Sequence, residues 1–412
     1  MNRRAFVVAS TAAALTPALA RDADGGAAPR PYAAPGARFQ AEPRQPQTPA
    51  LGPAVFAERR ARAQEEMARR SLDLLVVVPS TDYVYLNGSS PGRSERLIAL
   101  LLPRQGDAVI VAPSFEVERV RRGSTVADVR GWEEESDPFA LAARIAAGMR
   151  RGGRAGLEPS TDYASYLRFA EAMRRWRIET AAPVFERLRI IKQPVELDLI
   201  RRAIRITQEA LTATFAQLQA GMSERDVAGV VSREMSRRGG SGGGLVQFGP
   251  NAALPHGSPQ LRLLEPGMPV LMDCGTRVEG YTSDITRTQW FGGEPPERFR
   301  TVYNTLHAAQ TAAMTLGRPG VECQEMDRAA RRVIREAGFG EYFTHRLGHG
   351  MGMEGHEAPY LVEGNTLRLE PGMVATIEPG IYIPDVWGCR TEDDIVVTSD
   401  GVEVLSQRVG MM

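Results

Sequence analysis

From residue 54 onward, apolar positions alternate between helical stripes and short continuous runs. Over 54–70, Phe56 sits among charges at helical spacing (Arg60, Glu65, Glu66, Arg69), which predicts an amphipathic helix. The run Leu74–Val78 predicts a buried strand, and the turn formers of Ser80–Pro91 predict a loop. Leu97–Leu102 and Ala108–Ala112 predict two more strands, parted by a turn at Gln105-Gly106-Asp107. Helical patterns return over Pro138–Arg150 and Tyr163–Arg175, with short strands near Val126–Val129 and Ala155–Leu157. This alternation over 54–187 predicts a small α/β domain, and no phosphate-cradling glycine loop occurs in it.

The remainder, 188–412, has a different rhythm. Pro194 stands at a first-turn position and opens a helix to about Gln217. Ser223, with Asp226 three residues on, opens a second helix to about Arg237, and Gly239–Gly244 breaks it. Strands and hairpins are predicted over Leu245–Phe291, helices over Glu297–Leu316 and Glu325–Ala337, and strands again over Met373–Leu405. The order helix, helix, hairpins therefore occurs twice, and the fold class predicted for the chain is α+β.

A sequence repeat underlies that order. Leu264-Glu265-Pro266-Gly267-Met268 recurs as Leu369-Glu370-Pro371-Gly372-Met373, and an acid follows each Met at the same distance: Asp273 and Glu378. Gly280 precedes Asp284 by the same interval that separates Gly388 from Glu392. Two related half-domains packed about a shared axis would bring the four carboxylates together. Asp273 and Glu378 end apolar runs, where an unpaired carboxylate is costly. Such acids either meet divalent cations or pair separately with arginines such as Arg287 and Arg390.

The histidines favour cations. His345, His349 and His356 lie close together in a segment broken by Gly348, Gly350, Gly352 and Gly355, and glycine permits close backbone approach to a ligand. His256 stands in Pro255-His256-Gly257, ahead of the first acidic strand, while His307 lies in a helical pattern without an assigned role.

Composition narrows the partners. With 43% hydrophobic and 24% charged residues the chain has an ordinary globular make-up, and its 50 basic and 50 acidic side chains cancel, so no protein-wide basic surface for nucleic acid is expected. Cys274, Cys323 and Cys389 are too few and too widely spaced for a disulfide framework. Residues 1–20 read as an export signal: Arg3-Arg4, an Ala/Val/Leu stretch too short to span a membrane, and an Ala18-Leu19-Ala20 cleavage pattern. The paired arginines point to the twin-arginine route and a periplasmic destination, with no stable membrane anchor; a general export signal in which the paired arginines are incidental is the alternative. Residues 21–53, rich in Ala, Pro and Gly, read as a disordered linker.

The motifs together resemble the aminopeptidase P and prolidase group of metallopeptidases, which have the creatinase-like pita-bread fold. The resemblance covers nearly all of the chain after the linker. It rests on Asp273-Cys-Gly, on Gly280-Tyr281-Thr282-Ser283-Asp284-Ile285-Thr286-Arg287-Thr288, on His345-Arg-Leu-Gly-His349-Gly, on Glu378-Pro379-Gly380 and on Arg390-Thr391-Glu392-Asp393-Asp394. The connector Leu188–Lys192 with Glu196 is similar to the family's domain junction, and Gly355 stands where relatives often carry a larger residue.

The resemblance implies a duplicated catalytic domain over 188–412, preceded by a creatinase-like α/β domain over 54–187. It implies two divalent metal ions, Mn²⁺ first and Co²⁺ or Zn²⁺ as alternatives. Asp284, His349 and Glu378 would hold one, Asp273, Asp284 and Glu392 the other, with Glu392 also bridging. A hydroxide between the metals would attack the carbonyl before proline. Glu378 would shuttle the proton, His256 and His356 would stabilise the oxyanion, and His345 and Arg390 would support the ligands. The expected partners are peptides with proline second, and the expected assembly is a homodimer or homotetramer. The resemblance leaves a dipeptidase and a longer-peptide aminopeptidase nearly level. Two other readings stand beside it: a binding protein on the same fold, disfavoured because all five ligand positions are filled, and an ester or organophosphate hydrolase using the same metals.

Overall fold

The computed structural model describes residues 51–412; the export segment and all but the last three residues of the expected linker lie outside the described residues. Helix α1 (Pro53–Arg69) begins on Pro53 itself, where a missing N–H costs nothing because first-turn donors have no partner in the helix.

Six strands follow: β1 (Leu74–Val77), β2 (Ala99–Pro103), β3 (Val109–Pro113), β4 (Asp128–Trp132), β5 (Gly153–Leu157) and β6 (Trp176–Thr180). They form one mixed sheet in the order β4-β3-β2-β1-β5-β6. Its central strands are apolar without alternation because both faces are covered. Leu75, Val77, Leu100 and Ile110 pack into one core and Leu74, Val76, Leu101 and Val109 into another.

Helices α2 (Thr81–Asn87), α3 (Val117–Arg122), α4 (Pro138–Met149), α5 (Tyr163–Ala172) and α6 (Ala182–Ile190) complete this part. The stretch expected to be a loop over Ser80–Pro91 therefore contains α2. Ser80 caps it by accepting from the Tyr83 amide at 3.2 Å, Gly88 ends it at φ +96°, and Tyr83, Tyr85 and Leu86 are buried. Capping residues and turn residues are chemically the same, so this helix reads as a loop until its packing is seen.

The second part repeats itself. Helices α7 (Pro194–Phe215) and α8 (Glu224–Arg237) precede β7 (Ser241–Phe248), β8 (Met268–Val278), β9 (Tyr281–Thr282) and β10 (Ile285–Phe291). Helices α9 (Glu297–Leu316) and α10 (Cys323–Glu336) precede β11 (Gly348–Gly350), β12 (Glu357–Leu361), β13 (Val374–Ile377), β14 (Gly380–Ile383), β15 (Trp387–Arg390), β16 (Asp393–Val397) and β17 (Val402–Val404). One sheet runs β10-β8-β7 and another β12-β11-β13-β16-β17, with β14-β15 a separate hairpin.

Matching hydrogen bonds mark the duplication. Gly221 N donates to Leu264 O at 2.8 Å in the first half, and Gly320 N donates to Leu369 O at 2.9 Å in the second. The turn glycines of the repeat, Gly267 and Gly372, share φ +89°, a left-handed conformation that a side chain would strain.

Gly239–Gly244 does end α8, but from Ser241 it continues as β7. A Cβ at Gly242 or Gly244 would collide with the backbone of Gly275 or Asp273. Bare glycine lets this edge strand lie directly against β8, which carries Asp273. The two halves join where the Glu392 amide donates to Thr286 O at 3.1 Å and the Thr288 hydroxyl donates to Arg390 O at 2.8 Å.

Candidate metal centre

That seam places the acids. Asp273 lies within β8, and Asp284 directly precedes β10, the neighbour of β8. Glu378 directly follows β13, and Glu392 directly precedes β16, the neighbour of β13. His349 comes from β11 on the other side of β13. Glu392 and His349 are buried, whereas the side chains of Asp273, Asp284 and Glu378 keep 30%, 20% and 14% exposure. The cluster is thus walled behind and reached by solvent in front.

One donor atom from each of Asp273, Asp284 and Glu392 lies within 4.8 Å of the others, and the same holds for His349, Glu378 and Glu392 and for Asp284, His349 and His356. Every such grouping among the described residues falls at this one place. His349 Nε2 stands 3.3 Å from Glu378 Oε1 and 3.8 Å from Asp284 Oδ2. The five expected ligand positions are therefore neighbours, with Glu392 common to two groups. His356 joins Asp284 and His349 in the third group, although the resemblance places it outside the ligand set.

The alternative of separate arginine pairs accounts for one carboxylate. Arg390 Nη2 lies 2.6 Å from Asp273 Oδ2. Arg287 instead pairs with Asp393 at 2.7 Å, and its remaining bonds go to backbone carbonyls. One guanidinium, paired with Asp273 alone, leaves the negative charge of four crowded carboxylates uncompensated. Burial, then repulsion from Asp273 and other neighbouring acids, pushes the Asp284 carboxyl well above its ordinary range. Burial, then Asp284 and Glu378, does the same to Glu392, and burial pushes Glu378 up to about 7. Divalent cations would relieve this crowding.

The imidazole is prepared for the same role. His349 Nδ1 lies 3.1 Å from the Gly350 carbonyl, a donor bond that leaves the Nε2 lone pair facing the acids. Burial, then the neighbouring His356, lowers its pKa to about 3, so the ring is neutral.

The supporting residues form a continuous chain. The Thr286 hydroxyl donates to Glu392 Oε2 at 2.6 Å and accepts from Arg390 Nε at 3.1 Å. Arg390 Nη1 donates to the Tyr382 oxygen at 2.8 Å, and that hydroxyl meets His345 Nε2 at 2.8 Å. Among the described residues, His345 therefore reaches the acids through Tyr382 and Arg390. Burial lowers its pKa to about 4, and its Nδ1 lies 2.8 Å from the Arg346 carbonyl, which leaves Nε2 to accept the Tyr382 proton. Arg390 Nη1 also reaches Pro255 O at 3.4 Å, holding the segment that carries the exposed His256. His356 is exposed at the mouth, with its ring centroid 3.9 Å from that of His349 and Arg346 Nη2 at 3.4 Å from its Nδ1.

Sequence reasoning passed over Thr286, Thr376, Tyr382 and Arg346. The Thr376 hydroxyl donates to Glu378 Oε1 at 3.4 Å and accepts from His349 N at 3.1 Å; Thr376 precedes Glu378 by two residues and Thr286 follows Asp284 by two, so strand alternation turns each to the face that carries the acids. A buried threonine in phase with an acid was the available signal. Tyr382 and Arg346 offered none, because they meet the site through tertiary contacts.

A family model described as metallopeptidase family M24 matches residues 198–399, and one described as the creatinase/prolidase N-terminal domain matches 59–191. An uncharacterized peptidase of Staphylococcus aureus (strain bovine RF122 / ET3-1) is 34% identical over 348 residues, covering 83% of this chain and 97% of that protein. The chain belongs to metallopeptidase family M24. This family is metal-dependent, so the acid and histidine cluster is its candidate metal centre. Solved structures agree with the assignment to M24. Dipeptidase PepE from Mycobacterium ulcerans has a TM-score of 0.81 and 36% identity, covering 87% of this chain and 97% of that one. A prolidase from Thermococcus sibiricus has a TM-score of 0.80 and 29% identity, covering 86% and 97%. The M24 chain is a peptidase with the pita-bread architecture, preceded by a creatinase-type domain.

Proposed function

We propose that this peptidase hydrolyses the bond before proline in Xaa-Pro peptides, using two divalent cations with Mn²⁺ preferred. The observation that carries the reading is Glu392's membership of two donor groups, one completed by Asp273 and Asp284 and the other by His349 and Glu378. Two groups sharing a carboxylate suit two cations, and oxygen donors with one imidazole suit Mn²⁺. When bound, such a pair supplies a water that ionises near neutral pH and polarises the carbonyl under attack.

The chain's own residues do the rest. Glu378 takes the proton of the attacking water and passes it to the proline nitrogen, which must leave as an amine. His356 and His256, exposed at the mouth, donate to the tetrahedral oxyanion and orient the peptide. Arg390 on Asp273 and Thr286 on Glu392 hold those carboxylates in one orientation. The dipeptidase and prolidase among the similar structures favour dipeptides as substrates.

The test is to strip the purified protein of metal, reload it with Mn²⁺, and compare Gly-Pro with an Xaa-Pro-Xaa tripeptide. The expected result is two metals per chain and faster cleavage of Gly-Pro. A folded, metal-loaded protein that cleaves neither peptide overturns the reading. We extend the proposal to export by the twin-arginine route, supported by Arg3-Arg4 and the apolar stretch after them. Replacing both arginines by lysine should then retain the protein in the cytoplasm.

A further inference from the structure

We infer that Lys192, through a buried ion pair with Glu357, fixes the position of His356 and is thereby a positioning residue for catalysis. Of the chain's 50 basic side chains, Lys192 is the only lysine. Every other basic position uses arginine, so this one requires an ammonium for a local reason.

The surroundings supply that reason. The Lys192 side chain is 1% exposed, and its Nζ lies 2.8 Å from Glu357 Oε1. Glu357 Oε2 accepts from Arg189, whose other terminal nitrogen pairs with Asp82 of α2 at 2.9 Å. Arg189 also reaches Glu354 at 3.2 Å. The space is closed by Gly352, where a Cβ would stand 2.6 Å from Glu357 Oε1 and 3.0 Å from Lys192 Cε. A compact ammonium fits there, whereas a planar guanidinium needs room that the Gly352 backbone occupies.

Glu357 is the chain neighbour of His356. The segment Gly352–Glu357 folds over the ion pair: Gly352 N donates to Glu354 O at 3.1 Å, and Thr282 N donates to Gly352 O at 2.8 Å. His356 stands exposed at the tip of this segment with its ring against that of His349, 3.9 Å between centroids, and its hydrogen-bond partner among the described residues is the long contact from Arg346. Beyond that ring contact, its position is set from its own chain, by the buried anchor of the adjacent residue. The anchor is itself fixed, since the Lys192 amide donates to Gly372 O at 2.9 Å, in the turn that leads to β13 and Glu378. Arg189 extends the same network to Asp82 in the creatinase-type domain, so the domain junction bears on the catalytic mouth.

The inference rests on the role proposed for His356, and a double-mutant cycle separates the two. Lys192→Met, Lys192→Arg, His356→Ala and Lys192→Met/His356→Ala are compared on Mn²⁺-loaded protein with Gly-Pro, alongside metal content and melting temperature. Each Lys192 variant should bind metal normally and lose kcat by about tenfold or more, with KM little changed, since a misplacement of ~1 Å can cost up to about a hundredfold. In the His356→Ala background, Lys192→Met should change kcat by less than about twofold, because the residue it positions is gone. Losses that multiply in the double variant, or a Lys192→Arg enzyme equal to wild type, overturn the inference. His356→Ala with full turnover overturns the His356 assignment and the inference with it. If Lys192→Met does not fold, Lys192→Arg and its double with His356→Ala decide the matter by the same criteria.

Discussion

Replacing Asp284 by Asn should shift stability in opposite directions with and without metal. Asp284 shares donor groups with Asp273 and Glu392, their oxygens lying within 4.8 Å of one another. At an effective dielectric of about 20, two charges that far apart repel by about 3.5 kcal/mol. Protonation relieves part of this, consistent with the raised Asp284 carboxyl. Asparagine keeps the shape and removes the charge, so the metal-free variant should gain about 1–3 kcal/mol, or a few degrees in Tm. With metal the sign reverses. A site of four donors is worth about 10–16 kcal/mol in zinc-finger peptides, so one lost donor costs ~3 kcal/mol and weakens binding more than about a hundredfold.

The assay is thermal unfolding of EDTA-treated and Mn²⁺-loaded protein, with metal counted after gel filtration. Wild type should gain Tm on loading, while Asp284→Asn should start at or above the wild-type metal-free value and gain little. A metal-free variant several degrees below wild type, or one that retains two metals per chain, would refute the electrostatic reasoning.

His356→Ala should leave metal content near normal and lower kcat on Gly-Pro by about 10²-fold, the usual cost of one oxyanion donor; unchanged turnover rules out that role. Thr286→Val removes the hydroxyl between Glu392 and Arg390 and should cost about 10–100-fold in Mn²⁺ affinity or turnover, read by metal titration and kinetics. Metal-free protein should lose stability as pH rises. The Glu378 carboxyl goes from an ordinary 4.5 to about 7 on folding, so its stabilising proton is held below pH 4.5 and lost as pH passes 7. Denaturation midpoints of EDTA-treated protein should therefore be lower at pH 7.5 than at pH 5.5, and Mn²⁺ should remove the difference; a higher midpoint at pH 7.5 in the absence of metal contradicts the assignment.

Much of the fold was written in local pattern. α9 (Glu297–Leu316) coincides with its helical periodicity, and α7 and α8 begin where Pro194 and Ser223 predict. The failures have local causes. α2 carries turn-like capping residues around a buried apolar centre, and β6 is an edge strand without an apolar run. The stretch Gly239–Gly244 misleads in the same way at the start of β7, because a glycine run breaks a helix but also lets strands approach closely.

The sequence alone determined the duplication, since five identical residues and two pairs of acids recur in step, and it determined which acids would share a site. Clustering of the rare histidines pointed to a site that includes His345, His349 and His356, and the family resemblance singled out His349 among them. Only the tertiary structure decided which charges meet. Arg390 rather than Arg287 faces the carboxylates, Tyr382 links His345 to Arg390 and so to Asp273, and Lys192 pairs with Glu357, the chain neighbour of His356. Periodicity reports which face of an element is buried, but an ion pair depends on distances between segments far apart in the chain. Lys192 and Glu357 are 165 residues apart and meet at 2.8 Å, a fact that no local pattern contains.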